Sequence, residues 1–273
     1  MILIKPIGGL ANRMRVVASA LWLSNITKNT VKLIWNINEE LYCEFNDLFR
    51  PIDNIELNEN IKYNYIRQYS PKYKLKHLAA STFNKLINVD FCITESFFLS
   101  QAINHEKQLI KMAKNYNKTF IETCQQFGDS DIFLSKFVPK KDLQKIINIQ
   151  TSMFSDNTIG LHIRRQDNII STTESPLELF INRVRLEIKK NKHTTFYLST
   201  DDLATEHKLT ALFGERILTR KKQLDRISSN GIKDALVDMF CLSNTKYIYG
   251  SYWSSFSDVS ARLGKINCLV LKK

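Results

Sequence analysis

In the stretch IGLHIRRQD at 159–167, a short apolar run leads into His162, then into the adjacent pair Arg164 and Arg165, with Asp167 two places on. Arginine keeps its charge and holds a planar fork of donors, so a neighbouring pair suits a phosphate gripped in bidentate fashion. Asp167 could orient one guanidinium or bind a sugar hydroxyl. The plainer reading is an Arg–Asp surface pair, which is worth little. A second polar stretch, SYWSSFS at 251–257, follows another apolar run. There Ser254, Ser255 and Ser257 stand where a strand hands over to a helix, and their N–H and O–H groups could take a phosphate. They could equally be a plain capping cluster. Phe256 could lie against a purine or simply belong to the core.

Three further features invite chemistry. GGLANR at 8–13 places Gly8 and Gly9 for close backbone approach, with Asn12 and Arg13 at the start of a helix. The third glycine of a dinucleotide fingerprint is missing, and no P-loop is present. Thr200, Asp201 and Asp202 close the apolar run TFYLS. Asp238 sits in the otherwise apolar LVDMFCLS. A carboxylate buried on such a face needs a partner. A guanine edge would supply one, as would an ion pair with Arg164 or Arg165.

These clusters need elements to hold them. Met1–Ile4 reads as a strand and Asn12–Leu23 as a helix, with Val31–Trp35 the next strand. Residues 52–76 show no clear period. A strand within 85–93, a helix over 97–116, a strand at 119–124 and a helix over 140–154 complete the first half. In the second half, strands at 158–163, 195–199, 216–218, 246–250 and 268–271 alternate with helices over 176–191, 203–213, 232–243 and 257–263. Ser175 is placed to cap the helix at 176–191, with Glu178 completing a capping box. Alternating strands and helices imply parallel sheets covered on both faces, with ligands beyond the carboxyl ends of the strands. A domain of 1–150 and another of 151–273 are expected, with the boundary between 140 and 157.

At 273 residues and 44% hydrophobic content the chain can bury a substantial core. Its net charge of +12 suggests an anionic partner such as nucleic acid, a membrane surface or a phosphorylated small molecule. The lysines are scattered, however. The densest runs, KKNK at 189–192 and RKK at 220–222, are short and read as solvated surface rather than a nucleic-acid stripe. The five cysteines are dispersed and form no CxxC, which fits reduced thiols better than disulfides or a metal site. No signal peptide and no apolar run of membrane-spanning length is read. The expected location is cytoplasmic, with peripheral membrane contact through the basic surface.

Taken in order, GGLANR, HIRRQD, YLSTDD and the Asp238…SSFS segment resemble the signature segments of GDP-fucose-dependent fucosyltransferases: the bacterial α1,2 group, the α1,6 group and the protein O-fucosyltransferases. The resemblance covers the first fifteen residues and most of 158–264, and residues 25–155 are unmatched. It implies a GT-B fold, two Rossmann-like domains facing a central cleft. The first domain would hold most of the acceptor and the second the GDP-sugar. It also implies an inverting transfer of L-fucose from GDP-fucose to a glycan or protein hydroxyl, with no cofactor and no required metal.

Carried onto this sequence, Arg164 and Arg165 neutralise the leaving diphosphate and Asn12 lies near the sugar and phosphate. Gly8, Gly9, Arg13, His162, Asp167, Thr200, Asp201, Asp202, Asp238, Ser254, Ser255, Phe256 and Ser257 line the donor site. Ala11, Arg13 and Gln166 depart from the family pattern, which has glycine, glutamine and glycine there. Other readings use the same fold with another nucleotide-sugar, a non-catalytic nucleotide-binding module, or a basic nucleic-acid-binding protein.

Overall fold

The computed structural model describes residues 1–58, 89–99, 105–166 and 168–273. The irregular tract read at 52–76 falls largely outside these residues, as does Asp167. The chain divides into two compact units, Met1–Val138 and Pro139–Lys273. The division lies earlier than 150/151. The helix Lys141–Thr151 belongs to the second unit, where it packs on the helix Ser229–Ser243 through buried Leu143 and Ile147.

The first unit is built on β1 (Ile2–Pro6), β2 (Val31–Leu33), β3 (Ile55–Leu57), β4 (Phe91–Ile93) and β5 (Thr119–Thr123). They form one sheet in the order β3-β2-β1-β5-β4, and every pairing is parallel. Ile2, Leu3 and Ile4 are fully buried, as expected for a central parallel strand covered on both faces. The helix Leu10–Thr27 is buried around most of its circumference. Its first two turns leave only Asn12 and Arg15 partly exposed. The helix read over 97–116 is two pieces among the described residues, Glu95–Leu99 and His105–Asn115.

The second unit carries β6 (Thr158–Ile163), β7 (Thr195–Thr200), β8 (Ile217–Leu218), β9 (Ile248–Ser251) and β10 (Cys268–Leu271). Their order is β10-β9-β6-β7-β8, again all parallel. From β6 the chain builds outward through β7 and β8. It then crosses back to add β9 and β10 on the other side. The carboxyl ends of β6 and β9 are therefore the point where strand order reverses, the usual ligand position in an open parallel sheet.

Ile159, Leu161 and Ile163 of β6 pack with Phe180, Val184, Phe196, Leu198 and Leu209 in the core. Gly160, on the same strand, admits close approach of a neighbouring segment. A Cβ there would come within 2.9 Å of Thr245 Oγ1 and 3.0 Å of Leu242 Cδ2.

Candidate functional site

The reversal point in the second unit brings together the ends of β6 and β9, the helix Ser255–Gly264, and the turn that follows β7. The backbone N–H of Arg164 donates to Ser251 Oγ at 3.1 Å, and that hydroxyl lies 3.3 Å from the carbonyl oxygen of His162. Ser251 thus clasps the end of β6 to the end of β9. The backbone N–H of Arg165 donates to Asp201 Oδ1 at 2.8 Å, tying the arginine turn to the end of β7. The Arg165 guanidinium donates to the carbonyl of Ser175 at 2.7 Å, while its Nε is buried with no hydrogen-bond partner. Burial draws the Arg165 guanidinium down from its ordinary pKa, and Asp201 and Asp202 oppose that shift.

Ser175 does more than the sequence reading assigns it. It does not cap the following helix, which runs Leu177–Lys190 with Pro176 as an N-cap that offers no side-chain acceptor. Instead the buried Ser175 hydroxyl donates to the carbonyl of Leu271 and accepts the N–H of Tyr252 at 2.8 Å. It locks β10, the β9 loop and Arg165 together. Glu178, expected in a capping box, is exposed and pairs with Lys208 at 3.1 Å. A short helix not read from the sequence, Ile169–Glu174, is capped by Asn168, which accepts from the N–H of Ser171 at 2.9 Å.

The turn after β7 is held by its own side chains. Thr200 Oγ1 accepts the N–H of Asp202, and Asp202 caps the helix Leu203–Phe213 by accepting from Thr205 N at 2.8 Å and Thr205 Oγ1 at 2.6 Å. The Thr205 hydroxyl bond holds the Asp202 carboxyl below its usual range. Asp201 faces the arginine turn. Burial raises its pKa, and the backbone N–H groups of Arg165 and Gln166 and the Arg164 charge counter the rise. Of the three residues expected to contact the donor, Thr200 and Asp202 bond within this turn and the following helix, and Asp201 accepts the backbone N–H of Arg165.

Ser254 is the N-cap residue of the helix Ser255–Gly264, yet its side chain caps nothing. Its Oγ is buried with no partner. Ser255, the first residue of the helix, is partly exposed. A helix of this length presents free N–H groups and a positive dipole end to an anion. Ser257, in contrast, is buried, and its Oγ lies 2.6 Å from where a Cβ on Gly250 would stand. It packs the helix onto β9.

Phe256 stacks on His162, with ring centroids 4.8 Å apart and planes at 21°. Burial, with the Arg164 charge beside it, pulls His162 down to about 3, so the ring is neutral at physiological pH, and its Nδ1 is buried without a partner.

Asp238 is fully occupied by its own unit, though not by Arg164 or Arg165. Its Oδ1 accepts from Tyr197 Oη at 2.8 Å and Arg220 Nε at 3.2 Å, and its Oδ2 from Lys222 Nζ at 2.6 Å. Burial pushes its carboxyl up, and the Lys222 and Arg220 charges more than offset that, holding it below the usual carboxylate range. Arg220 also grips Asp234 at 2.6 Å. The RKK run, read as solvated surface, therefore sends Arg220 and Lys222 inward to Asp234 and Asp238. The available signal is their spacing: two apart in an extended segment, they share a side, and an apolar helix with a lone aspartate requires such a partner.

GGLANR occupies the corresponding place in the first unit, after β1. Gly8 has φ +84°, and a Cβ there would lie 2.7 Å from Asn12 Nδ2. The N–H of Gly8 donates to Glu40 Oε2 at 2.9 Å. Gly9 is the N-cap of the helix Leu10–Thr27, and Asn12 is partly exposed on its first turn. Arg13, expected as a donor contact, is instead a buried strut. Its guanidinium donates to the carbonyl of Gly8 at 2.7 Å, the carbonyl of Asn36 at 2.5 Å and Asn38 Oδ1 at 2.8 Å, and it lies over the Trp35 ring. Burial lowers its pKa to about 10.

Among the described residues no group of three or more His, Cys, Asp or Glu side chains is placed to hold a metal ion, and no helix is long and apolar enough to cross a membrane.

No protein-family model and no curated protein matches the chain. Solved structures do. The chain superposes on the NodZ α-1,6-fucosyltransferase soaked with GDP-fucose with a TM-score of 0.65 at 18% identity, covering 96% of this chain and 92% of that one. It is similar to a mutant of Arabidopsis thaliana FUT1 in complex with GDP, with a TM-score of 0.63 at 15% identity over 99% of this chain and 70% of that one. It is also similar to the apo form of POFUT1, with a TM-score of 0.60 at 10% identity over 99% and 97%. The chain thus shares the GT-B-like fold of these proteins, an α/β architecture of two parallel five-stranded sheets with surrounding helices.

Proposed function

We propose that this chain is a glycosyltransferase that moves L-fucose from GDP-fucose to a hydroxyl of a glycan or protein, with inversion and without a metal requirement. One observation carries the reading. Arg164 and Arg165 are fixed by their backbones at the reversal point of the second sheet, beside a helix N-terminus whose N-cap hydroxyl is buried and unpartnered. That combination suits a diphosphate. The fold shared with fucosyltransferases solved with GDP-fucose or GDP supports a GDP-sugar as its owner.

In the proposed reaction the acceptor oxygen bonds to C1 of the fucose on the face opposite the diphosphate. The C1–O bond to the β-phosphate breaks, and its electron pair leaves with GDP. The acceptor proton passes to water or a base. Negative charge grows on the diphosphate as the sugar approaches an oxocarbenium state. Fixed guanidinium groups and helix N–H groups aimed at that charge favour the transition state over the ground state. His162, neutral and stacked on Phe256, adds no charge and shapes the wall beside Arg164. Asp238 acts from inside the fold, by holding Lys222 and Arg220 in place.

The test is a thermal-shift series against GDP-, UDP- and ADP-sugars, followed by GDP release from GDP-fucose. A melting temperature raised selectively by GDP-fucose, and GDP release that falls in Arg164→Ala, support the proposal. A wild-type protein that neither binds nor turns over GDP-fucose overturns it.

A further inference from the structure

Trp253 lies in the short loop joining Ser251, which clasps Arg164, to Ser254 at the head of the helix. The residue is 68% exposed, and its backbone is left-handed at φ +56°. Either feature alone is unfavourable for a bulky aromatic residue, and strained backbone of this kind gathers where ligands are clamped. Of the three tryptophans in the chain, Trp22 is buried and Trp35 is half-buried, with its Nε1 donating to the carbonyl of Cys43.

The loop is held in this posture. Asn168 Nδ2 donates to the carbonyl of Trp253 at 3.2 Å, and Ser175 Oγ holds the N–H of Tyr252. The two residues after Asn168 are Ile169 and Ile170, 83% and 52% exposed. An exposed tryptophan on a tethered, strained backbone and two bare isoleucines therefore adjoin the groups assigned to the diphosphate.

We infer that Trp253 is the platform for the hexose of the nucleotide-sugar donor, an inference that rests on the donor reading above. A 6-deoxyhexose offers a C–H face and a methyl group, which match an indole face and a bare aliphatic pair. A guanine would instead need hydrogen-bonding groups along its edge. Trp253 is then a specificity-determining residue: it reads the sugar, while Arg164 and the helix N-terminus read the diphosphate.

The test compares wild type, Trp253→Ala and Trp253→Gly by calorimetric titration with GDP and with GDP-fucose, alongside iodide quenching of tryptophan emission. The expected result is unchanged GDP affinity in all three proteins and GDP-fucose affinity about 10-fold weaker in both variants. GDP-fucose, and not GDP, shields the wild-type indole from iodide. Trp253→Gly, free of the left-handed strain, melts within a few degrees of wild type, which separates lost binding from lost folding.

An unchanged GDP-fucose to GDP affinity ratio overturns the inference. So does a parallel loss of GDP affinity, which would place Trp253 under the nucleotide. Wild-type protein that binds neither ligand overturns the donor reading itself, and this inference with it.

Discussion

Lys222 Nζ lies 2.6 Å from Asp238 Oδ2, with only 3% and 5% of the two side chains exposed. This ion pair joins the segment after β8 to the helix Ser229–Ser243. Removing one member of a buried pair strands the other charge, at a cost of about 3–5 kcal/mol. Lys222→Met and Asp238→Asn should each lose that order of stability in urea denaturation. The double substitution Lys222→Met, Asp238→Asn should lose less than the sum of the two. If either single variant matches wild type, the pair does not hold the segment.

The same aspartate sets an acid limit. Its folded pKa is depressed, so its contribution is complete above the ordinary aspartate value and is lost as pH falls below about 4. Acid unfolding followed by circular dichroism should therefore be shallower in Asp238→Asn than in wild type. Equal slopes would remove Asp238 from the account of acid sensitivity.

His162 acts over a higher range. Folding lowers its pKa from 6.5 to about 3. The unfolded chain therefore binds a proton below about pH 6.5 that the folded chain refuses. The stabilisation is complete above that pH and drains away as pH falls toward about 3. His162→Phe keeps a ring against Phe256 and abolishes the ionisation. Urea midpoints at about pH 7.5 and 4.5 should differ less in this variant than in wild type.

Arg164→Ala and Arg165→Ala should each cut GDP release from GDP-fucose by roughly 100-fold or more, the usual loss for one preorganised donor. Arg165 is tied through its guanidinium to the Ser175 carbonyl, and Arg165→Lys, which cannot keep that fork, should lower the melting temperature below that of wild type. Lysine should not restore activity at either position, because a single ammonium cannot reproduce the planar fork.

Gly8 and Gly9 make a contrast within one turn. Gly8→Ala meets both a left-handed backbone and the Asn12 amide, and should cost about 1–2 kcal/mol or more. Gly9→Ala finds nothing closer than the Glu40 carbonyl oxygen at 3.9 Å and should be nearly neutral. Thermal melts of the two variants check this directly.

The parallel α/β plan was legible because strands buried on both faces read as apolar runs, and polar clusters follow them at the carboxyl ends. Arg164, Arg165 and Ser254–Phe256 lie where that pattern puts them. Partners brought close by the fold alone were not legible. Nothing local says that Asp238 meets Lys222 rather than Arg164, that Arg13 turns inward to the carbonyls of Gly8 and Asn36, or that Ser175 serves Leu271 instead of the helix it precedes. Ser175 carries a local capping signature in full, but a buried hydroxyl beside a strand end found better-placed partners across the sheet.

The bond from the Arg164 N–H to Ser251 Oγ spans 87 residues of chain. β6 is made early in the second unit, yet the clasp that fixes its arginine comes with β9. On an emerging polypeptide the arginines are exposed, charged and unaligned until almost the whole unit has left the ribosome. Closing so long a loop is entropically costly, and the cost is recovered only when the later strands dock. On the proposed function, competence to bind the diphosphate appears at the end of folding, and nucleotide affinity would report completed assembly of this unit.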